Sequence, residues 1–207
     1  MAHYAIAVDT KRCIGCWSCG VACKLENNIP NDVFWNRTLT VGGDQPNTPS
    51  GEYGNCQMSF TPVQCNHCDN PACVAACPTG ATYKDEETGI VMQNGEECIG
   101  CKTCIESCPY EGVRTLLADE PQWFVDFPVG NQLAPEHPGG TVEKCNLCYF
   151  RVADGKVPAC VEGCPAHARF FGDLDDPESD VSKLLAEREN FTLLPEEGTG
   201  PNIYYLS

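Results

Sequence analysis

The pattern of apolar and polar residues over Met1–Asp9, centred on Tyr4-Ala5-Ile6-Ala7-Val8, predicts a first β-strand leading into Cys13. Val21-Ala22-Cys23-Lys24-Leu25-Glu26 predicts one or two helical turns, ended by Asn27, Asn28 and Pro30. Residues 31–64 hold two β-rich pieces, Val33–Val41 and Tyr53–Val63, around a polar section from Gly42 to Gly54. They read as a hairpin with a long loop. Thr79–Tyr83 and Gly89–Met92 predict two short strands joined by the charged turn Lys84–Thr88. Between Cys108 and Cys145 the chain is rich in Pro, Gly and aromatic residues (Trp123, Phe124, Phe127, Pro128) and too irregular for a helix. A loop that packs on a partner and a cover over the chain's own interior fit this stretch equally. In the tail, Asp176-Pro177 followed by Val181, Leu184 and Leu185 predicts a capped amphipathic helix. Pro201–Leu206 predicts a terminal strand that closes a sheet or embraces a neighbour. No run approaches the ~20 apolar residues of a membrane helix.

Composition changes this picture in one respect above all. Of 207 residues, 17 are cysteine. Disulfides and metal ligation compete to explain them. The first residues lack the basic and long apolar regions of a signal peptide, and the cysteines bunch in C-x2-C groups with Pro after the last, so metal is favoured. The formal net charge of −16 excludes a broad nucleic-acid-binding role. Nine acidic and two basic residues fall between Asp173 and Ser207, and solubility or a salt-rich host accounts for such acidity.

Four groups of four cysteines carry the chemistry. Cys98, Cys101, Cys104 and Cys108 form C-x2-C-x2-C-x3-C-P, in which the first three thiolates hold one [4Fe–4S] cluster and the fourth holds a different one. Cys13, Cys16, Cys19 and Cys23 repeat the spacing without the proline. Cys65, Cys68, Cys73 and Cys77 widen one gap to x4, and Cys145, Cys148, Cys160 and Cys164 widen one to x11. Asp154-Gly155 marks that insert as a short excursion with a turn. Cys56 stands outside every group, and a small buried hydrophobe is its expected role. Zinc is the alternative metal, since C-x2-C pairs also build zinc ribbons.

The exchange rule then pairs the groups. Cys65, Cys68, Cys73 and Cys108 are expected to hold one cluster, and Cys98, Cys101, Cys104 and Cys77 another. Cys13, Cys16, Cys19 and Cys164 would hold the third, and Cys145, Cys148, Cys160 and Cys23 the fourth; self-contained groups are the rival pairing. The expected fold is α+β, with tandem bacterial-ferredoxin-like modules of two [4Fe–4S] clusters each, one inserted in the other. Residues 1–30 plus 143–172 form the outer module, 31–64 a β-hairpin insertion, 65–110 the inner module, 111–142 an irregular loop and 173–207 an acidic tail of helix and strand. All-Cys ligation leaves no open iron for substrate, so each cluster changes charge by one electron and the chain has no catalytic residues of its own. His67 is either a donor to a sulfide or a surface imidazole, and Lys102 either raises a cluster's potential or is solvated.

Cys65-Asn66-His67-Cys68-Asp69-Asn70-Pro71-Ala72-Cys73, Lys144-Cys145-Asn146-Leu147-Cys148, Pro158-Ala159-Cys160-Val161-Glu162-Gly163-Cys164-Pro165 and Pro201-Asn202-Ile203-Tyr204-Tyr205-Leu206 match one family in order and spacing. Nearly the whole chain resembles the four-cluster electron-transfer (beta) subunit of the dimethyl-sulfoxide-reductase family of molybdopterin oxidoreductases, which includes polysulfide, thiosulfate and tetrathionate reductases. Some relatives carry Trp in place of one cysteine of the third group; here Cys104 is intact. The resemblance implies a relay subunit of an anaerobic respiratory complex. Its partner is a catalytic subunit with molybdopterin and Mo or W, often joined by a quinol-reacting membrane anchor subunit. The Cys13/Cys164 cluster would face the catalytic subunit and the inner module the electron donor. Such a chain has no leader or membrane helix; it stays cytoplasmic or is exported folded with a twin-arginine partner, peripheral at the cytoplasmic membrane. A subunit of a formate dehydrogenase or hydrogenase complex and a free polyferredoxin are the competing functions.

Overall fold

The computed structural model describes residues 2–42 and 47–207. Its strands are β1 (Tyr4–Asp9), β2 (Asn36–Val41), β3 (Ser50–Glu52), β4 (Asn55–Gln57), β5 (Ser59–Gln64), β6 (Thr82–Lys84), β7 (Val91–Gln93), β8 (Arg114–Leu116), β9 (Val142–Lys144), β10 (Arg169–Asp173), β11 (Asn190–Phe191) and β12 (Ile203–Leu206). The helices are α1 (Ser18–Glu26), α2 (Ala72–Ala75), α3 (Thr103–Glu106), α4 (Tyr149–Ala153), α5 (Ala159–Glu162) and α6 (Asp180–Glu187). The class is mixed α and β, built from small sheets and short helices.

The largest sheet has the order β10-β1-β12-β11. Its β1 lies antiparallel to β10, with Tyr4 opposite Asp173 and Val8 opposite Arg169, and parallel to β12, with Ile6 opposite Ile203. Residues at alternate positions of a strand point to opposite faces, and both faces of β1 are covered. Ile6 and Val8 pack with Cys19, Leu147, Cys160 and Tyr205, while Ala5 and Ala7 meet Val181 of α6 and Leu206. The terminal strand therefore closes the chain's own sheet, and α6 caps the face turned away from the cysteines. The start of α6 differs from expectation. Ser179 Oγ accepts from the Ser182 N–H at 3.2 Å, while Asp176 closes the preceding turn by accepting the Glu178 N–H at 2.9 Å.

The expected hairpin is β2 with β5, in register from Asn36–Gln64 to Val41–Ser59. A second small hairpin, β3–β4, sits within the expected loop; residues 43–46 of that loop lie outside the described residues. The strand–turn–strand link is β6–β7. The x11 insert contains α4 before its Asp154-Gly155 turn, and the irregular stretch expected over 111–142 opens with β8, which pairs with β9 across the intervening residues. Three one-turn helices follow one plan: α2, α3 and α5 contain the third cysteine of a group, and Cys-Pro follows two residues after each helix ends. Proline disfavours the helical conformation in the residue before it, so the turn stops at that cysteine.

Candidate functional site

Cysteine loops make up much of the interior of this protein. Cys13, Cys16, Cys19 and Cys164 surround one small cavity, with Arg169 on its wall. Cys77, Cys98, Cys101 and Cys104 surround another. Between them, Cys23 lies among Cys145, Cys148 and Cys160, all four buried. Cys68 lies among Cys65, Cys73 and Cys108. Adjacent sets touch: Cys160 is within electrostatic reach of Cys19, Cys145 of Cys65, and Cys73 and Cys104 share one apolar cluster. The sixteen thiols thus fall into four sets in a row.

The local backbone explains how short loops gather thiols. Within or beside the C-x2-C gaps, Gly15, Trp17, His67, Gly100, Lys102, Leu147 and Cys148 all take positive φ, between 44° and 67°. Successive amides are thereby turned inward as a nest for anions. Gly100 is required at its position: φ is +65°, and a Cβ would collide with the Gly140 carbonyl oxygen. Backbone N–H groups already donate to sulfur, from Thr82 to Cys77, Leu147 to Cys145 and Ala168 to Cys164, each at 3.3 Å, and from Val142 to Cys98 at 3.4 Å.

Electrostatics divides the thiols by depth. Burial and neighbouring thiolates push the Cys23 and Cys145 thiols far up, and Cys68 and Cys148 to about 11. Near the surface, hydrogen bonds from Thr79 and Thr82 outweigh the opposing burial and hold Cys77 down to about 7. Hydrogen bonds from Ser18 and Thr103 likewise lower Cys16 and Cys101. Four thiolates crowded into a dry site repel one another unless a cationic centre joins them, so this donor set fits a metal–sulfide core. Among the described residues no group of three or more His, Cys, Asp or Glu is arranged to hold a single ion.

Several groups beyond the cysteines reach these sets. The Asn27 amide lies 3.8 Å from both Cys23 Sγ and Cys148 Sγ. Arg114 Nη2 donates to Cys73 Sγ at 2.9 Å, and Arg169 and Lys144 are buried nearby. Sequence reasoning missed all four, because a buried cation or amide has no distinguishing pattern. His67 is buried, with Nδ1 accepting from the Val91 N–H at 3.2 Å, so a surface imidazole is excluded; burial and the cations Lys144 and Arg114 hold its pKa well below the ordinary value. Lys102 is exposed and solvated. Cys56 is also exposed, with Sγ 3.3 Å from the Glu52 carbonyl oxygen, which corrects the expectation of a buried hydrophobe.

A family profile described as a 4Fe-4S dicluster domain matches residues 56–120 and 131–174. The arsenate respiratory reductase iron–sulfur subunit of Shewanella sp. is 36% identical, over 97% of this chain and 94% of its own. A tetrathionate reductase subunit of Salmonella typhimurium is 37% identical, over 99% of this chain and 72% of its own. The chain belongs to the iron–sulfur beta subunits of the dimethyl-sulfoxide-reductase family. A Halobacterium salinarum chain described as a candidate dimethyl sulfoxide reductase iron–sulfur subunit is 47% identical, over all of this chain and 80% of its own. Members of this family are electron-transfer subunits, not catalysts on their own, and their cofactors are [4Fe–4S] clusters. No described helix is long and apolar enough to cross a membrane.

Proposed function

We propose that this chain relays single electrons through four [4Fe–4S] clusters, to or from a molybdopterin-containing catalytic subunit of an anaerobic respiratory reductase. Cys13, Cys16, Cys19 and Cys164 hold the first cluster, and Cys23, Cys145, Cys148 and Cys160 the second. Cys65, Cys68, Cys73 and Cys108 hold the third in spatial order, and Cys77, Cys98, Cys101 and Cys104 the last. What supports this assignment is the grouping of thiols from distant parts of the sequence, with Cys164 beside Cys13 and Cys77 beside Cys98. It also favours the nested reading, in which a ferredoxin-like unit at 65–110 is inserted in one made of 1–30 and 143–172. With every iron held by cysteine, such clusters exchange electrons and bind no substrate.

The single observation that carries the relay reading is the burial gradient along the row. Cys16 and Cys101, one in each end set, are exposed, whereas all four cysteines of the Cys23 set are buried. Electrons enter and leave at the two ends. The aromatic stretch beside α1 fits a partner-facing loop: Phe124 is 88% exposed and Phe127 59%, while Trp123 Nε1 donates to the Asn28 carbonyl at 2.7 Å. This loop packs at the C-terminal end of α1, near Cys23; by the family resemblance the catalytic subunit would meet the Cys13/Cys164 end, leaving the other end for the donor, such as a quinol-reacting anchor subunit in the membrane.

Metal analysis tests the reading. Anaerobically isolated protein is expected to hold near-equal iron and acid-labile sulfide, about sixteen of each for this chain, and to copurify with a large molybdenum- or tungsten-containing subunit. Mostly zinc, or a monodisperse chain with no partner, would overturn it.

A further inference from the structure

Three cations lie in the interior where no carboxylate answers them. Arg114, Lys144 and Arg169 are only 4%, 3% and 4% exposed. Burying a charge without a counter-charge is costly enough that proteins rarely tolerate it. Yet among the described residues none of the three forms an ion pair with Asp or Glu. Arg169 Nη2 donates to Gln64 Oε1 at 2.6 Å, while its Nε and Nη1 have no oxygen or nitrogen partner among the described residues. Lys144 Nζ donates to the Val91 carbonyl and, at 2.8 Å, to the Cys145 carbonyl. Arg114 reaches Gln93 Oε1 at 3.4 Å and Cys73 Sγ at 2.9 Å. The acid next to Lys144 on β9, Glu143, is already held by Trp35 and His137.

The arrangement is more costly still because Arg114 and Lys144 stand directly opposite each other on β8 and β9. Like charges at that spacing destabilise a ladder. Among the described residues no Asp or Glu pairs with the three cations, so sulfur is the negative charge that faces them, and its distribution is ordered. Arg169 lines the Cys13/Cys16/Cys19/Cys164 cavity and is also acted on by Cys160 and Cys145 of the next set. Lys144 lies between Cys145 of that set and Cys65 and Cys73 of the third. Arg114 lies between Cys65, Cys73 and Cys108 of the third set and Cys104 of the last. Each of the three junctions in the row holds one cation.

We propose that Arg169, Lys144 and Arg114 are bridging counter-charges, one per junction, each of which sets the reduction potentials of the two clusters it separates. This rests on the ligand assignment proposed above. A fixed positive charge favours the reduced, more negative state on whichever side it faces. Shared between neighbours, it raises both potentials together and keeps the step between them small. Lone surface cations, such as exposed Lys102, are screened by solvent and do this poorly.

Redox titration of the anaerobically purified complex, followed by electron paramagnetic resonance, tests the proposal. Arg169→Gln is expected to keep the iron and sulfide content of the unsubstituted protein and to move two cluster potentials to more negative values. Arg114→Gln should move the other two. Arg169→Lys, which keeps the charge, should move the first pair less than Gln does. Full iron content with no shift, a shift in one cluster only, or a Lys variant that shifts as far as Gln would overturn bridging. Where a Gln variant loses iron, the Lys variant decides: wild-type iron with a small paired shift supports a charge role, and equal iron loss in both overturns it. A shortfall of iron in the unsubstituted protein would instead count against the ligand assignment.

Discussion

Cys56 and Cys101 are both exposed, and only one of them belongs to a set. Cys56→Ser should therefore leave iron and sulfide unchanged, while Cys101→Ser should remove up to about four irons and leave the partner's cofactor loaded; iron assay of the purified complexes checks both. His137 carries a pH prediction. Its Nδ1 faces the Glu143 carboxylate and its Nε2 lies 2.8 Å from the Asn27 carbonyl oxygen, two acceptors that favour the protonated ring. Burial opposes that charge, but Glu143 and the Asn27 carbonyl outweigh it and raise the pKa. A raised pKa stabilises the fold fully below the ordinary imidazole value of about 6.5, and the contribution fades as pH rises through the higher folded value. His137→Gln should thus lose thermal stability at about pH 6 and much less at about pH 9, flattening the profile. The cysteine positions were legible because ligation demands one residue type at fixed spacing. The interior cations were not, since every sequence rule places Arg and Lys outside, and only the sulfur beside them makes Arg114, Lys144 and Arg169 tolerable within.

The same blindness operates on elements. Strands β8 and β9 are three residues each, far apart in sequence, and each carries a buried cation where an outward residue is expected, so no alternation announces them. By contrast, β1 and β12 were legible because nearly every residue is apolar and both faces are buried. Helix α6 was legible from Val181, Leu184 and Leu185, but its start lay at Ser179 because Asp176 is engaged in its own turn. What ties the tail to the first cysteine loop is Asp9. Its Oδ2 accepts from Arg188 Nη1 at 2.6 Å, and its Oδ1 accepts the Lys11 and Arg12 N–H groups at 3.0 and 3.1 Å, just before Cys13. Burial would raise this carboxyl, but those donors and the Arg188 charge hold it below the usual carboxylate value. Asp9→Asn should cost about 2 kcal/mol near neutral pH, since a charge-assisted bond is lost and two donors are less well satisfied. Denaturant unfolding of the holo-protein under anaerobic conditions measures it, and an unchanged midpoint would show that α6 and β12 anchor the tail without the Asp9–Arg188 bond.

Across the whole molecule, depth along the row determines vulnerability as well as electron entry. The sets of Cys13/Cys16/Cys19/Cys164 and Cys77/Cys98/Cys101/Cys104 each include an exposed thiol. The Cys23 set is enclosed by α1, α5 and the Leu147 turn, with every sulfur buried. Oxidants and chelators act on what they can reach, and a thiol released near the surface is both more accessible and more ionised than one in the interior. The low value of Cys77, about 7, against the raised values of Cys23 and Cys145 makes that difference large once iron is gone. Brief air exposure followed by alkylation should then label Cys16, Cys77 and Cys101 first. Cys23, Cys145, Cys148 and Cys160 should stay unlabelled until the protein unfolds. Peptide mass spectrometry at successive times, with iron measured in parallel, reads the order directly. Labelling of Cys145 or Cys160 alongside the first irons lost would mean that the row is open at its middle, and an insulated relay with two ends could not be maintained.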